Sequence, residues 1–201
     1  MKELKFIHIT KTAGTSIEIE GRKQNINWGL NHKEYGFHHE YFPRKSQSLK
    51  EKYDWFTVIR NPYERVISEY FWLMKAMGVK DKKTVEHFNA FIQKWINNIK
   101  QNKVNHPAFG RLNGDHFSPQ YLYIDDSVKI HILKFENIKQ EFDALMKEYG
   151  LNIKLNTHFH VENNKIFTIK DFSRETLDLI NDFYAKDFEI FGYTKLTELP
   201  A

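Results

Sequence analysis

The chain has 201 residues, which fits one domain, because domains typically span roughly 100–200 residues. It contains no cysteine, which excludes disulfides, thiolate nucleophiles and cysteine-ligated metals. With 15% aromatic residues and a formal net charge of only +4, the composition predicts a folded, soluble protein and gives no sign of a nucleic-acid-binding arm.

The first predicted strand covers residues 4–10 (LKFIHIT), a short apolar segment that ends at a turn of small residues. A helix is predicted to begin near Ser16. After a polar stretch with several Gly and Asn, residues 55–59 (WFTVI) predict a second buried strand. Pro62 then stands where proline suits the first residue of a helix, and the apolar spacing that follows predicts a helix to Met74.

The second half of the chain repeats this alternation. Helical spacing predicts a helix over 85–99, a strand over 129–135 (KIHILKF), and a helix over 138–149 that ends at Gly150. A last amphipathic helix is predicted over 177–191. Strands that alternate with helices predict an α/β fold, a single domain with a central parallel sheet of about four or five strands flanked by helices.

Internal repeats, low-complexity tracts and linkers rich in Pro, Gly or Ser are absent from the sequence, so we predict one domain over residues 1–201. Apolar runs all fall well short of the ~18 residues that a membrane-spanning helix needs. The first ten residues lack the apolar core and cleavage site of a signal peptide. These features predict a cytoplasmic protein with no integral membrane span.

The segment from Thr10 to Ser16 has the composition of an anion-binding turn. It joins a strand to a helix start, where backbone N–H groups and the helix dipole favour negative charge. Gly14 allows close approach, Thr15 adds a hydroxyl donor, and Lys11 adds a full charge. A simple Ser/Thr helix cap beside an unrelated lysine is the alternative. A Walker A loop is excluded, because Lys11 precedes the glycine instead of following it.

A second polar group follows the next strand. Arg60 lies where the predicted strand ends, and Ser68 lies on the helix after it, so a guanidinium and a hydroxyl could converge on one phosphate. A surface ion pair is the alternative for Arg60, and it is our interpretation of Arg65.

These two segments resemble the sulfotransferases that use 3′-phosphoadenosine 5′-phosphosulfate (PAPS), in particular the carbohydrate-type branch (sulfotransferase family 2). Residues 7–16 (IHITKTAGTS) resemble its 5′-phosphosulfate loop, with Thr10 where the family usually has proline, and residues 56–70 (FTVIRNPYERVISEY) resemble its 3′-phosphate motif. Residues 114–120 are similar to its HxxPQ element. Further similarity at 132–138 and 184–193 extends the resemblance to about residues 4–193.

The resemblance implies a P-loop-NTPase-like sulfotransferase fold and a transferase that moves the sulfuryl group of PAPS to a hydroxyl acceptor, with a carbohydrate favoured. Lys11 would contact the leaving oxygen, Gly14 and its neighbours the 5′-phosphate, and Arg60 and Ser68 the 3′-phosphate. No metal is implied. The predicted nucleotide-binding residues are Lys11, Thr12, Ala13, Gly14, Thr15, Ser16, Arg60 and Ser68.

A hydroxyl acceptor needs a general base. The family usually places a histidine or glutamate between its two nucleotide motifs, and in this sequence that interval contains His38, His39 and Glu40. We take His39 as the predicted base, with His38 and Glu40 as rivals and His116 of the HxxPQ element as the next functional histidine. His8, on the first strand, is predicted to be a buried structural residue.

Two other functions stay open at this stage. A non-catalytic protein could keep this fold to bind a nucleotide or polyanion, and a nucleotide-dependent kinase is a weaker alternative because the Walker A loop is missing. The sequence identifies neither the acceptor nor the oligomeric state.

Overall fold

The sheet consists of three parallel strands in the order β1-β2-β3, namely β1 (Leu4–Ile7), β2 (Asp54–Ile59) and β3 (Ile130–Lys134). The structure is a computed structural model and describes residues 1–28, 41–79, 84–101, 116–156 and 166–200. The predicted parallel sheet is confirmed. Within the described ranges it has three strands, whereas four or five were expected.

The described residues also contain seven α-helices: α1 (Gly14–Lys23), α2 (Gln47–Lys52), α3 (Pro62–Ala76), α4 (Val85–Lys100), α5 (Ile138–Glu148), α6 (Arg174–Phe183) and α7 (Ala185–Phe191). Short 3-10 helices occupy Phe42–Arg44, Gln120–Tyr123, Phe135–Asn137 and Ile169–Asp171. All three predicted strands are therefore present, and so are the predicted helices, with shifted ends and with the last one divided into α6 and α7.

The register of the sheet brings the ends of β1 and β2 to the same edge. β1 pairs with β2 up to Ile7 beside Thr57, and β2 pairs with β3 up to Ile59 beside Lys134. Parallel strands end at one edge of the sheet, so the turn after β1 and the residue after β2 lie on that edge. The first two predicted strands are therefore neighbours in the sheet.

The described residues fall into two compact units. The first contains residues 1–28, 41–60 and 120–156, and the second contains residues 61–79, 84–101, 116–119 and 166–200. The first unit holds the sheet with α1, α2 and α5, and the second holds α3, α4, α6 and α7. The prediction of one domain over the whole chain stays a prediction.

Aromatic and aliphatic side chains from the strands and two helices form the core of the first unit. Trp28 meets the rings of Phe56 on β2 and Phe142 on α5 edge-on, at centroid distances of 5.4 and 5.9 Å. Ile17 brings α1 into the same cluster, in which it is fully buried. Helices therefore pack on the sheet through apolar residues, as the alternating pattern predicts.

The second unit has its own aromatic core. Phe88 of α4 stacks on Phe172 with a centroid distance of 5.5 Å, and Tyr70 of α3 meets Phe88 edge-on at 4.9 Å. Phe188 and Phe191 of α7 are 3% and 5% exposed. Both residues are therefore packing residues of the second unit.

The single last helix predicted over 177–191 is wrong in one respect, because α6 ends at Phe183 and α7 begins at Ala185. Tyr184 between them leaves helical geometry, with φ −100° and ψ 21°. Its buried hydroxyl donates a hydrogen bond of 2.6 Å to the carbonyl oxygen of Phe117. A hydrogen bond to a residue far away in the sequence therefore occurs where the helix is interrupted. The local apolar spacing does not predict this interruption.

Candidate active site

The turn between β1 and α1 has an unusual backbone. Lys11 and Ala13 have φ values of 58° and 68°, a region that residues other than glycine rarely occupy. Such conformations cost on the order of 1–3 kcal/mol each, so the surrounding structure must enforce them. Part of that enforcement comes from Thr12, whose buried hydroxyl donates to the carbonyl oxygen of Ile9 at 2.9 Å. Turns of this kind direct backbone N–H groups into a concavity that suits an anion.

The N-terminus of α1 continues this turn. The helix begins at Gly14, two residues before the predicted start, because Ala13 serves as its N-cap in the left-handed conformation. Ala13 provides no side-chain cap, and the first turn contains no acidic residue. The first-turn N–H groups and the positive end of the helix dipole are therefore suited to an anionic ligand.

Gly14 is required by a close contact. A Cβ atom at this position would overlap the imidazole ring of His8, which is itself only 8% exposed. His8 directly follows β1, and its ring lies against Gly14, the first residue of α1. The prediction that His8 is a buried residue is confirmed, and its ring explains why a glycine occurs in the turn.

Arg60 is the first residue after β2, and its guanidinium lies close to this turn. Nη1 donates to the carbonyl oxygen of Lys11 at 3.3 Å, and Cζ lies 4.2 Å from the centroid of the Phe135 ring. The whole residue is 8% exposed, while Lys11 is half-buried. The structure thus brings the Arg60 guanidinium to the backbone of Lys11, the other cationic residue that the sequence singles out.

The backbone of Arg60 is paired with a side chain that sequence reasoning left without a role. Gln120 accepts a hydrogen bond from the Arg60 N–H through Oε1 and donates one to the Arg60 carbonyl through Nε2, both at 2.8 Å. Gln120 belongs to the HxxPQ match, but its partner lies 60 positions earlier in the chain. In the sequence, only the match to the HxxPQ element could have indicated that Gln120 is important.

The remaining residues of the second motif belong to the second unit. Ser68 lies on α3 and is 9% exposed, and its predicted part in phosphate binding stays a prediction. Arg65 is wrongly interpreted as a surface residue, because it is 1% exposed. Its guanidinium donates to the carbonyl oxygens of His116 and Ser118, each at 2.9 Å. Arg65 therefore holds the backbone of residues 116–118.

The predicted base lies outside the described residues, as do its rivals His38 and Glu40, so the assignment of His39 stays a prediction. The alternative His116 is described. Its Nδ1 lies 2.8 Å from Oε2 of the fully buried Glu69, and its ring stacks on Trp72 at 4.3 Å with an interplanar angle of 8°. A carboxylate and an aromatic face therefore orient the His116 ring.

Two further observations bear on the kind of site. Throughout the described ranges, we find no group of three or more His, Cys, Asp or Glu residues arranged to hold a metal ion. Within the same parts of the chain, no helix combines the length and apolar character needed to cross a membrane.

Comparison with known proteins supports the resemblance of the two motifs. A family model described as the sulfotransferase family matches residues 2–194, which is nearly the whole chain. No curated protein and no solved structure matches the chain.

Proposed function

Since the chain belongs to the sulfotransferase family, we propose that it transfers the sulfuryl group of PAPS to a hydroxyl group of a carbohydrate. Family membership supports sulfotransferase activity in general. The donor and the acceptor class are parts of our proposal. The observation that carries it is the turn at the end of β1, an uncapped helix start in which the carbonyl oxygen of Lys11 accepts a hydrogen bond from the guanidinium of Arg60.

In the proposed reaction, the acceptor oxygen attacks the sulfur atom in line with the bond to the 5′-phosphate. A new S–O bond forms as the old one breaks, and adenosine 3′,5′-bisphosphate leaves with the bonding electrons. The acceptor proton passes to the general base, for which His39 remains our candidate. Catalysis of this kind depends on positioning and on stabilising the charge that develops on the leaving oxygen.

Each part of the turn then has a role. Lys11 neutralises the leaving oxygen, and the backbone N–H groups at the start of α1, together with the hydroxyls of Thr15 and Ser16, hold the 5′-phosphate. Thr12 and Ala13 shape the turn, since Thr12 bonds to the Ile9 carbonyl and Ala13 is the left-handed N-cap. With these roles for the residues of the turn, the proposed reaction needs no metal ion.

The 3′-phosphate is assigned to Arg60, with Ser68 as a second donor. A guanidinium can make two parallel hydrogen bonds to a phosphate, which a lysine cannot. Arg60 is suited to this because its backbone is held by Gln120 and its side chain lies against Phe135. A nucleotide that bridges Lys11 and Arg60 would carry phosphates at both its 5′ and 3′ positions.

Isothermal titration of the full chain distinguishes the proposed enzyme from a kinase. We expect adenosine 3′,5′-bisphosphate to bind far more tightly than ATP, without magnesium. Tighter binding of magnesium-ATP would instead favour a kinase.

A transfer assay with sulfate-labelled PAPS over a panel of glycans and small alcohols then tests the acceptor class. Labelled glycan is the expected product. Labelling of the small alcohols alone would exclude the carbohydrate, and binding without transfer to any member of the panel would indicate a non-catalytic nucleotide-binding protein.

A further inference from the structure

The side chain of Gln120 extends the pairing of β2 by one residue. The ladder between β2 and β3 ends with Ile59 beside Lys134. Arg60 lies one residue beyond it, and its backbone N–H and carbonyl both pair with the Gln120 amide at 2.8 Å. A glutamine amide offers one acceptor oxygen and donor N–H groups, so it can satisfy both sides of one residue as a neighbouring strand would.

This pairing takes place out of contact with water. Gln120 is 0% exposed and Arg60 is 8% exposed. A buried backbone group that loses its partner incurs its full desolvation cost, so the two bonds strongly restrict the backbone of Arg60. With that backbone restricted, the Arg60 side chain leaves the chain in a defined direction, and its contacts with Phe135 and the Lys11 carbonyl hold the guanidinium at the far end.

The segment that carries Gln120 is itself anchored in the first unit. Gln120 begins a 3-10 helix that ends at Tyr123, whose ring is fully buried and lies edge-on to Tyr41 at a centroid distance of 4.8 Å. Just beyond it, Asp125 forms an ion pair with the buried ammonium of Lys50. Gln120 therefore begins a segment that has its own contacts within the first unit, in addition to the pairing with Arg60.

We propose that Gln120 is a positioning residue for the 3′-phosphate: by pairing with the backbone of Arg60, it aims the guanidinium and so sets the preference for 3′-phosphorylated nucleotides. The inference rests on the proposed function, because it requires a ligand that carries this phosphate. Gln120 itself does not contact the phosphate in this scheme. Its effect should therefore be confined to ligands that engage Arg60.

The test compares two ligands that differ only in the 3′-phosphate, adenosine 3′,5′-bisphosphate and adenosine 5′-monophosphate. Titration of the full-length Gln120→Met variant should show affinity for the bisphosphate reduced about 10-fold, the effect expected for the loss of well-formed hydrogen bonds. Affinity for the monophosphate should stay within about twofold of wild type. A general loss of structure would weaken both ligands alike.

A matched control is Gln93→Met. Gln93 is a half-buried glutamine of α4 whose amide donates to the Thr176 hydroxyl at 2.9 Å, in the second unit. This variant should leave both affinities unchanged. If Gln120→Met does not fold, Gln120→Asn takes its place. Its side chain is one methylene shorter and can keep only one of the two bonds, so a smaller loss with the same ligand preference is expected.

A double variant decides whether Gln120 acts through Arg60. When Arg60→Ala is already present, Gln120→Met should cause no further loss of bisphosphate affinity, because residues that act through one contact are not additive. Additive losses, or equal losses for both ligands, would overturn the positioning role while leaving the proposed function intact. Failure of the wild-type chain to bind the bisphosphate would overturn the proposed function and this inference with it.

Discussion

The guanidinium of Arg60 donates a hydrogen bond to the carbonyl oxygen of Lys11 at 3.3 Å, across 49 positions of sequence. Parallel pairing of β1 with β2 makes this contact possible, because it brings the two strand ends to one edge of the sheet. The residue assigned to the 5′ side of the nucleotide is thus linked directly to the residue assigned to the 3′ side. The predictions below test each part of this arrangement.

Lys11→Ala should lower turnover by at least about 10²-fold, in the range seen when one preorganised charge donor is lost. Nucleotide affinity should fall less, because the start of α1 still binds the 5′-phosphate. Steady-state kinetics and titration with adenosine 3′,5′-bisphosphate measure the two effects. Lys129→Ala, which removes an exposed lysine of the same unit, should change neither. Wild-type turnover in Lys11→Ala would remove Lys11 from the chemistry.

Gly14→Ala should destabilise the chain by about 1–3 kcal/mol, the usual cost of forcing extra volume into a packed site. The new methyl group would overlap the ring of His8. Adding His8→Ala should recover part of this loss, since the ring is what the methyl group meets. Denaturant unfolding of both single variants and the double variant gives the coupling energy. Simple additivity would show that the contact with His8 is not the reason for the glycine.

Arg60→Ala should selectively weaken ligands that carry a 3′-phosphate. Loss of a charged hydrogen bond typically costs about 1.5–3 kcal/mol, or roughly 10- to 150-fold in affinity. Adenosine 5′-monophosphate should bind almost as before. Arg44→Ala, an exposed arginine of the same unit, provides the control. If both nucleotides lose affinity equally, Arg60 has a structural role only.

The base is tested by pH profiles of three histidine variants. A histidine base must be neutral to accept a proton, so wild-type activity should rise through a pKa near 6.5 if that pKa is unperturbed. His39→Ala should remove this rise and most of the turnover, with nucleotide binding preserved. His38→Ala should have a much smaller effect, because a single residue is expected to accept the proton and His39 is our candidate.

The third variant, His116→Ala, leaves the buried carboxylate of Glu69 without its partner and exposes one face of Trp72. We therefore expect it to lower thermal stability while the pH-dependent rise in activity remains. Loss of that rise in His116→Ala, with His39→Ala still active, would identify His116 as the base.

Stability at low pH should depend on Asp125. Burial alone would raise the pKa of this carboxyl, but hydrogen bonds from Lys50 and Ser127 outweigh burial and lower it below its usual value. The carboxylate therefore stabilises the fold fully above the unfolded pKa of about 3.9, and this contribution disappears as the pH falls through the lower folded value.

Asp125→Asn should accordingly be less stable than wild type at pH 7, and the difference should narrow as the pH falls below about 4. Denaturant unfolding at a series of pH values measures it. Asp126→Asn, at the exposed neighbouring position, is the control. A difference that is constant with pH would mean that the Asp125 charge contributes nothing to stability.

Much of the first unit could be predicted from local sequence. Short, mostly apolar segments identified all three strands, although only β1 and β2 are buried almost throughout, whereas Ile132 of β3 is 41% exposed. Small residues and a lysine between β1 and α1 marked the anion-binding turn, because the turn and the helix start are built from adjacent residues. These motifs also sufficed to recognise the sulfotransferase family, which the family model confirms.

Only the tertiary structure decided what depends on residues far apart in the chain. Burial of Arg65 follows from carbonyl oxygens more than 50 positions away, and the break at Tyr184 accompanies a bond to a carbonyl 67 positions away. Likewise, nothing local to Gln120 indicates that its amide pairs with the backbone of Arg60. Hydrophobic periodicity and turn residues predict local structure, which depends on residues close together in the sequence. Hydrogen bonds between distant segments form only when the strands and helices pack together, so local patterns do not predict them.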